Sequence, residues 1–205
     1  MKRRAFTLIE MILALSIIAV ISLAIATMMA AVSTGVNAKD DGRQTAIRIA
    51  TTKSRIAAYV APSRCIVNKG FDFVTLWFED TRESNTIHAS EVRWIQFDET
   101  TQELQVKFID FPDSWSQSLI DSSDIELSKT SDFDSVLRNF ELSNLIDSIS
   151  IVDSMQSCLI WVNDSDPFEA TQISMRFSLT STLGETEQAL IDETIRLHQG
   201  PVEQQ

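Results

Sequence analysis

The chain has 205 residues, 44% of them hydrophobic, with five glycines, four prolines, two cysteines and a formal net charge of −12. The charge is unevenly placed. Residues 1–62 hold eight Lys and Arg against three Asp and Glu, whereas the remainder holds nine against 26, a net charge of −17. The remainder is long enough for one domain with its own hydrophobic core. Its acidity repels phosphate backbones, which argues against nucleic acid as a partner.

The first predicted element is an apolar helix near the N-terminus. From Met11 to Val32 the chain has no charged residue, and its only polar side chains are Ser16, Ser22 and Thr27. Such a run can cross a hydrocarbon core of about 30 Å as a helix. Basic residues at positions 2–4 precede it, so we expect a single span with a cytoplasmic N-terminus and the bulk of the chain exported.

Glu10 lies at the start of this run and distinguishes between interpretations of it. A secretory signal peptide has an apolar region of about 7–15 residues, shorter than this run, and its function does not require an acid there. A plain single-pass anchor is harder to exclude, because any apolar helix of this length would serve. An ionisable group near the end of a membrane helix is costly and is a functional hypothesis by default.

The segment Arg4-Ala5-Phe6-Thr7-Leu8-Ile9-Glu10, followed by the apolar run, resembles the N-terminus of type IV pilins and of the pseudopilins of type II secretion. The resemblance implies that a prepilin peptidase cuts between Ala5 and Phe6 and methylates the new amino group of Phe6. It also implies that Glu10 acts in filament assembly. Ala5 stands where the family usually has Gly.

The expected fold is α+β and pilin-like: a long N-terminal helix packed on an antiparallel β-sheet domain. The helix would have a transmembrane half and an amphipathic half, since Ala46, Ile49, Ile56 and Tyr59 share one stripe. We expect one helix from Phe6 to Ala61, ended by Pro62. The predicted segments are a leader at 1–5, a transmembrane and assembly helix at 6–32, its amphipathic continuation at 33–62 and an acidic, β-rich periplasmic domain at 63–205.

Several strands are predicted from apolar runs and alternation. A core strand is expected at Phe71–Phe78, a hairpin from Val92–Phe97 and Leu104–Ile109, and further strands at Cys158–Val162 and Ile173–Leu179.

The remaining stretches are less clear, and two tryptophans are assigned to the core. Asp113–Ser157 is rich in Ser and Asp and is predicted to form loops with one short helix at Phe133–Phe140. Ala189–Leu197 fits a helix or an edge strand, and we favour the strand. Trp77 and Trp94 are predicted to fill the core.

Chemistry at a catalytic or metal centre is not indicated. The two histidines, His88 and His198, have no acid and nucleophile in a recognisable arrangement and no partner at metal-ligand spacing. We therefore predict no enzyme activity and no cofactor.

Two weaker patterns leave alternatives open. The oxygen-bearing side chains Asn163, Asp164 and Asp166 could hold Ca²⁺, but a solvated turn is the better interpretation. Cys65 and Cys158 could form a disulfide in an exported domain or remain two buried thiols.

The order of elements is loosely similar to that of the larger J-type minor pseudopilins and W-type minor pilins. This similarity implies a structural subunit of a type II secretion pseudopilus, in its tip or priming complex, held in the inner membrane before assembly. Its partners would be other pilin or pseudopilin subunits and the prepilin peptidase. The alternatives are a minor pilin of a type IV pilus or DNA-uptake machine, and a membrane-tethered binding domain.

Overall fold

The computed structural model describes residues 8–180 and 186–202, except for the side chains at positions 8, 10, 14 and 33–42. The chain divides into two compact units, with the boundary between Gln44 and Thr45. Helix α1 extends without interruption from Leu8 to Val60, a length of 53 residues. It ends at Val60, one residue before the predicted end at Ala61, because a residue that precedes proline is disfavoured in helical conformation.

The second unit is built mainly from strands. Their bounds are β1 Cys65–Lys69, β2 Phe73–Trp77, β3 Ile87–His88, β4 Val92–Asp98, β5 Glu103–Ile109, β6 Glu126–Leu127, β7 Ile146–Val152, β8 Met155–Val162, β9 Gln172–Thr180 and β10 Thr186–Thr194. Two short helices lie between strands, α2 at Gln117–Ser123 and α3 at Phe133–Leu142. Asp132 caps α3 by accepting hydrogen bonds from the backbone N–H groups of Asp134 and Ser135.

All neighbouring strands pair antiparallel. The strands form a five-stranded sheet in the order β1-β2-β4-β5-β7, a three-stranded sheet in the order β10-β9-β8 and a small pair of β3 with β6. The predicted α+β class is confirmed.

Two hydrophobic clusters form the core of this unit. The first cluster joins Ile56 and Val60 of α1 to buried residues of both larger sheets, among them Ile95 and Met175. The second cluster includes Trp77, Trp94, the buried side chains of α3 and Leu127 of β6.

The clusters lie on opposite faces of the five-stranded sheet. Successive residues along a strand point to opposite faces, and Cys65 and Trp77 belong to the second cluster while their neighbours Ile66 and Leu76 belong to the first. This sheet is therefore covered on both sides.

Most predicted strands are confirmed. The hairpin of β4 and β5 pairs in the expected way, with Ile95 opposite Val106. Strands β8 and β9 extend the predicted runs, and the last element is a strand at the edge of its sheet. The predicted short helix corresponds to α3, and Trp77 and Trp94 are 0% and 2% exposed.

Three predictions need correction. The stretch predicted as loops contains α2, the short strand β6, the seven-residue strand β7 and the first residues of β8 in addition to the predicted helix. The first core strand begins at Phe73 instead of Phe71, whose side chain is 85% exposed. The last strand ends at Thr194, because Ile195 leaves the ladder and donates its N–H to the carbonyl of Thr171.

Candidate functional site

The apolar part of α1 is the first candidate site. Met11–Val32 is a 22-residue stretch long and apolar enough to cross a membrane, and it is the one such helix among the residues that the structure describes. Every side chain described within it is exposed, for example Leu13 at 63% and Met28 at 71%. A continuous apolar surface of this size requires lipid or other helices to cover it.

Two of the three polar side chains inside this stretch, those of Ser16 and Thr27, are satisfied by the helix itself. Ser16 Oγ donates to the carbonyl of Ile12 at 2.8 Å, and Thr27 Oγ1 donates to the carbonyl of Ala24 at 2.9 Å. Such bonds allow hydroxyl groups to lie in an apolar environment. The sequence from Leu8 to Val32 then contains one ionisable side chain, that of Glu10.

The structure describes little of the residues predicted to act in maturation and assembly. The backbone of Glu10 lies in the first turns of α1, but its side chain is outside the described part. Ala5 and Phe6, the predicted cleavage and methylation residues, also lie outside the described residues, as does the whole predicted leader at 1–5.

The C-terminal part of α1 is attached to the sheets by apolar burial and by arginines. Ile56 and Val60 are fully buried. Arg48 forms an ion pair with Asp153 at 3.1 Å and also donates to the backbone carbonyls of Asp153 and Thr180, at 2.8 and 3.2 Å. Arg55 donates to the carbonyl of Ile151 at 2.7 Å. Of the predicted amphipathic stripe of α1, Ile56 is buried and Ile49 and Tyr59 are half-buried, whereas Ala46 is exposed. The C-terminal residues of the stripe therefore hold the helix on the sheets.

A buried carboxylate that sequence reasoning missed is Glu91, which is 2% exposed. Its oxygens accept hydrogen bonds from Trp77 Nε1, Thr81 Oγ1 and the backbone N–H groups of Arg82 and His88, at 3.1–3.2 Å. A carboxylate with this many donors is held as a structural acceptor. No sequence signal distinguishes it from the many exposed acids of the domain.

Asp124 is a second buried acid in the same region. It forms an ion pair with Arg82 at 2.9 Å and accepts hydrogen bonds from the N–H and hydroxyl groups of Ser90. Asp80, also buried, accepts from the backbone N–H groups of Ser84 and Asn85. These contacts order the long connection between β2 and β4, so we assign the acids a structural role.

The two histidines lie beside backbone groups and away from each other in the sequence. His198 Nε2 lies 2.8 Å from the carbonyl oxygen of Phe168, and His88 precedes a short 3₁₀ helix at Ala89–Glu91. No group of three or more His, Cys, Asp or Glu suited to a metal ion occurs among the described residues.

The two cysteines are free and buried. Cys65 belongs to the second cluster and Cys158 to the first, so of the two alternatives that the sequence leaves open, the structure shows two buried thiols that act as small core residues. Burial raises the pKa of both thiols to about 12; nearby Lys129 partly offsets this for Cys65, and Asp72 adds to it for Cys158.

The weak calcium candidates form a turn. Asn163 Oδ1 accepts from the N–H groups of Thr171 and Gln172, at 2.9 and 3.0 Å. Asp164 Oδ1 accepts from the N–H of Asp166, and Asp166 Oδ1 accepts from the N–H of Phe168. These side chains cap local backbone groups, which is the use expected of Asn and Asp in turns.

Comparison with known proteins supports the N-terminal assignment. A family described as "Prokaryotic N-terminal methylation motif" matches residues 1–33, which include the apolar start of α1. The chain thus carries the N-terminal motif of the type IV pilin and pseudopilin class, whose members are structural subunits. Searches of curated proteins and of solved structures each found no significant match to the chain.

Proposed function

We propose that the chain is a minor pseudopilin-like subunit of a type II secretion pseudopilus, acting in its tip or priming complex. The observation that carries this proposal is the methylation motif over residues 1–33, which includes the apolar stretch Met11–Val32. A pilin-like role is consistent with the α+β fold and with the long helix whose C-terminal part packs on antiparallel sheets.

Maturation in this proposal consists of cleavage between Ala5 and Phe6 and methylation of Phe6. The new amino group then lies close in sequence to Glu10. A lone carboxylate at the centre of a bilayer costs about 2.5–3.5 kcal/mol on insertion scales. Pairing Glu10 with the terminal amino group of a neighbouring subunit offsets the desolvation of both charges. Such a pair also sets the axial register of an entering subunit.

The proposed cellular arrangement follows from the charges that flank the span. Basic residues at positions 2–4 favour a cytoplasmic N-terminus, which places residues 63–205 in the periplasm. Before assembly the inner membrane covers the apolar stretch, and in the filament neighbouring helices cover it. The size and acidity of the domain favour a tip or priming subunit over the repeated shaft, by analogy with the J-type and W-type proteins.

Mass spectrometry tests the maturation step. Co-expression with a prepilin peptidase should remove Met1–Ala5 and add one methyl group, as measured on the intact chain. Co-expression with a peptidase inactivated at its catalytic site is the control and should leave the chain uncut. A chain that stays uncut with the active peptidase would favour the membrane-tethered binding domain instead.

Substitution of Glu10 tests the assembly step. Glu10→Ala and Glu10→Gln should both reduce incorporation into filaments, because neither can pair with an amino group, while cleavage should proceed. Ser16→Ala is a matched control, since Ser16 Oγ donates to the carbonyl of Ile12 in its own helix. Normal incorporation of both Glu10 variants would contradict the proposed register role.

A further inference from the structure

Residues 196–202 follow the last strand and cross the surface of the second unit without regular secondary structure. We refer to them as the C-terminal segment. Ile195, which precedes the segment, is 4% exposed and belongs to the first cluster, whereas residues 196–200 are all exposed. The segment therefore gains little from apolar burial, and hydrogen bonds determine its position.

The C-terminal end of α1 is the first place that this segment binds. The last carbonyl groups of a helix have no partners within the helix. Ser63 supplies donors for two of them, its hydroxyl group for the carbonyl of Tyr59 and its N–H for that of Val60. The carbonyl that follows, that of Ala61, accepts from the N–H of Arg196 at 3.2 Å. A residue of the C-terminal segment therefore completes the cap of α1.

Gln199 connects the segment to two further elements. Its N–H donates to the carbonyl of Arg64 at 2.8 Å, and its Oε1 accepts from the guanidinium group of Arg64 at 2.6 Å. Its Nε2 donates to Oδ1 of Asn85 at 3.3 Å. A single residue thus joins the start of β1 to the connection between β2 and β4.

The far end of the segment binds the same connection. The carbonyl of Asn85 accepts from the N–H of Val202 at 3.0 Å. Asn85 has a φ of 57°, in the left-handed region that Asn adopts more readily than most residues. Asp80 holds this turn by accepting from the N–H groups of Ser84 and Asn85, each at 3.0 Å. A buried carboxylate therefore holds the turn from inside, and the C-terminal segment holds it from outside.

Arg64, the partner of Gln199, is itself fixed in place. Its guanidinium group lies 3.8 Å from Oδ2 of Asp80 and 5.5 Å from the centroid of the ring of Trp77, which is fully buried. The side chain of Gln199 therefore bonds to a positioned group, although Gln199 itself is exposed. The end of α1, the start of β1 and the turn at Asn85 are linked through one exposed segment.

We propose that the C-terminal segment is a releasable clasp between the end of α1 and the connection between β2 and β4, so that its opening loosens both. Each hydrogen bond that it makes to these elements involves an exposed residue of the segment. Segments with few buried apolar contacts and exposed hydrogen bonds open locally while the rest of a domain stays folded. Because coupling between two sites is reciprocal, loosening the connection should also open the clasp. The clasp lies within the second unit and is independent of the proposed function.

Hydrogen exchange followed by mass spectrometry, on the full chain in detergent micelles, tests the clasp. Gln199→Ala removes both side-chain bonds and should speed up exchange at positions 61–66 and 82–86 by at least about threefold. Deletion of residues 196–205 removes every bond of the clasp and should have a larger effect at the same positions. Leu197→Ala is the matched control, because Leu197 is 82% exposed in the same segment. Exchange in β4 and β5 should remain as in the wild-type chain.

A substitution in the connection tests the reciprocal effect. Asp80→Ala removes the acceptor that holds the turn at Asn85, so exchange at the amides of Gln199 and Val202 should become faster. Glu79→Ala, at an exposed position of the same connection, is the control and should leave these amides unchanged.

Four results would overturn the proposal. Unchanged exchange at both junctions after deletion of residues 196–205 would show that the segment follows the fold without holding it. Faster exchange throughout the second unit, β4 and β5 included, would show a general loss of stability in place of a local clasp. Equal effects of Gln199→Ala and Leu197→Ala would exclude the bonds of Gln199 as the cause. Unchanged exchange at Gln199 and Val202 in Asp80→Ala would contradict the coupling.

Discussion

At the scale of single residues, the buried carboxylate of Glu91 organises the connection between β2 and β4. Its acceptor oxygens satisfy donors from a tryptophan side chain, a hydroxyl and two backbone N–H groups. Removing a buried acceptor leaves its donors without partners, and each such group costs about 1–3 kcal/mol. Glu91 therefore matters for stability despite carrying a charge in the interior.

We expect Glu91→Ala to lower the free energy of unfolding by about 2–4 kcal/mol, because Trp77 Nε1 and Arg82 N lose their acceptor. Urea unfolding followed by far-ultraviolet circular dichroism measures this change. Glu99→Ala, at an exposed position of the β4–β5 turn, should change the free energy by less than about 0.5 kcal/mol. Equal effects of the two substitutions would show that the hydrogen bonds of Glu91 add nothing to stability.

The cysteines should be unreactive in the folded chain, since the thiolate is the nucleophile and burial raises the pKa of both thiols to about 12. At pH 8 iodoacetamide should give no adduct with the folded chain and two adducts after unfolding in guanidinium, as measured by intact mass. An untreated chain lighter by two hydrogens would reveal a disulfide and contradict the structure.

The same thiols make stability depend on pH. An unperturbed cysteine thiol, as in the unfolded chain, has a pKa of about 8.5. In the folded chain the pKa of both thiols is about 12. The unfolded state therefore loses these protons first as pH rises. The contribution of the two protonated thiols to the free energy of unfolding is fully present below about pH 8.5 and is lost progressively up to about pH 12.

At the scale of elements, the docking of α1 depends more on apolar contacts and carbonyl acceptors than on charge. Asp153, the partner of Arg48, is 76% exposed, and an exposed ion pair contributes at most about 1 kcal/mol. The carbonyl groups that Arg48 and Arg55 bind fix the position of the helix along β7 and β9. The buried isoleucine and valine of α1 supply the larger part of the attachment.

Ile56→Ala should destabilise the second unit by about 2–5 kcal/mol, because it leaves a cavity at a fully buried position of the first cluster. Hydrogen exchange of the amides at positions 45–60 measures the attachment of α1 and should speed up. Ile47→Ala is the matched control, since Ile47 is 55% exposed on the same helix. Faster exchange in both variants, or in neither, would contradict the assignment of Ile56 to the core.

The sequence predicts elements well where alternation and burial coincide. β4 and β5 alternate between apolar and polar residues and lie in the interior of their sheet, so their hairpin is evident from the pattern. β7 is an edge strand whose residues 147–150 are exposed and include Asp147, Ser148 and Ser150. Its composition is that of a loop, and only its pairing with β5 makes it a strand.

The candidate sites likewise divide into those that a local sequence pattern reveals and those that only the folded structure reveals. The motif around Phe6 and Glu10 is a local sequence signal and is predictable without a structure. Glu91 is held by partners 3–14 residues away in a connection without a regular pattern, and Asp124 by Ser90, 34 residues earlier. Sequence pattern alone treats such acids as surface charges.

At the scale of the whole molecule, positive and negative charge are separated along the chain, and in the proposed function this separation determines the orientation of the chain in the membrane. Basic residues precede the apolar stretch, and the acidic residues are concentrated after position 62. Lys and Arg near the ends of a span determine its orientation far more than Asp and Glu do.

Orientation can be tested with alkaline phosphatase fused after Gln205, which is active only outside the cytoplasm. The wild-type fusion should be active, and replacing Lys2, Arg3 and Arg4 with Gln should lower its activity by at least about twofold. Replacing Asp40 and Asp41 with Asn, a charge change of similar size on the other side of the span, should have little effect. An inactive wild-type fusion would contradict the predicted orientation, and full activity of the first variant would contradict the role of the basic residues in setting it.

The placement of the four tryptophans gives the chain an uneven intrinsic fluorescence. Trp77 and Trp94 lie in the second cluster, Trp115 stacks on Phe111 at that cluster's margin, and Trp161 lies on the outer sheet face. No indole belongs to the first cluster, where α1 is attached. Emission from this protein therefore reports on α3 and on the outer sheet face, while separation of α1 from its sheets would leave the spectrum nearly unchanged.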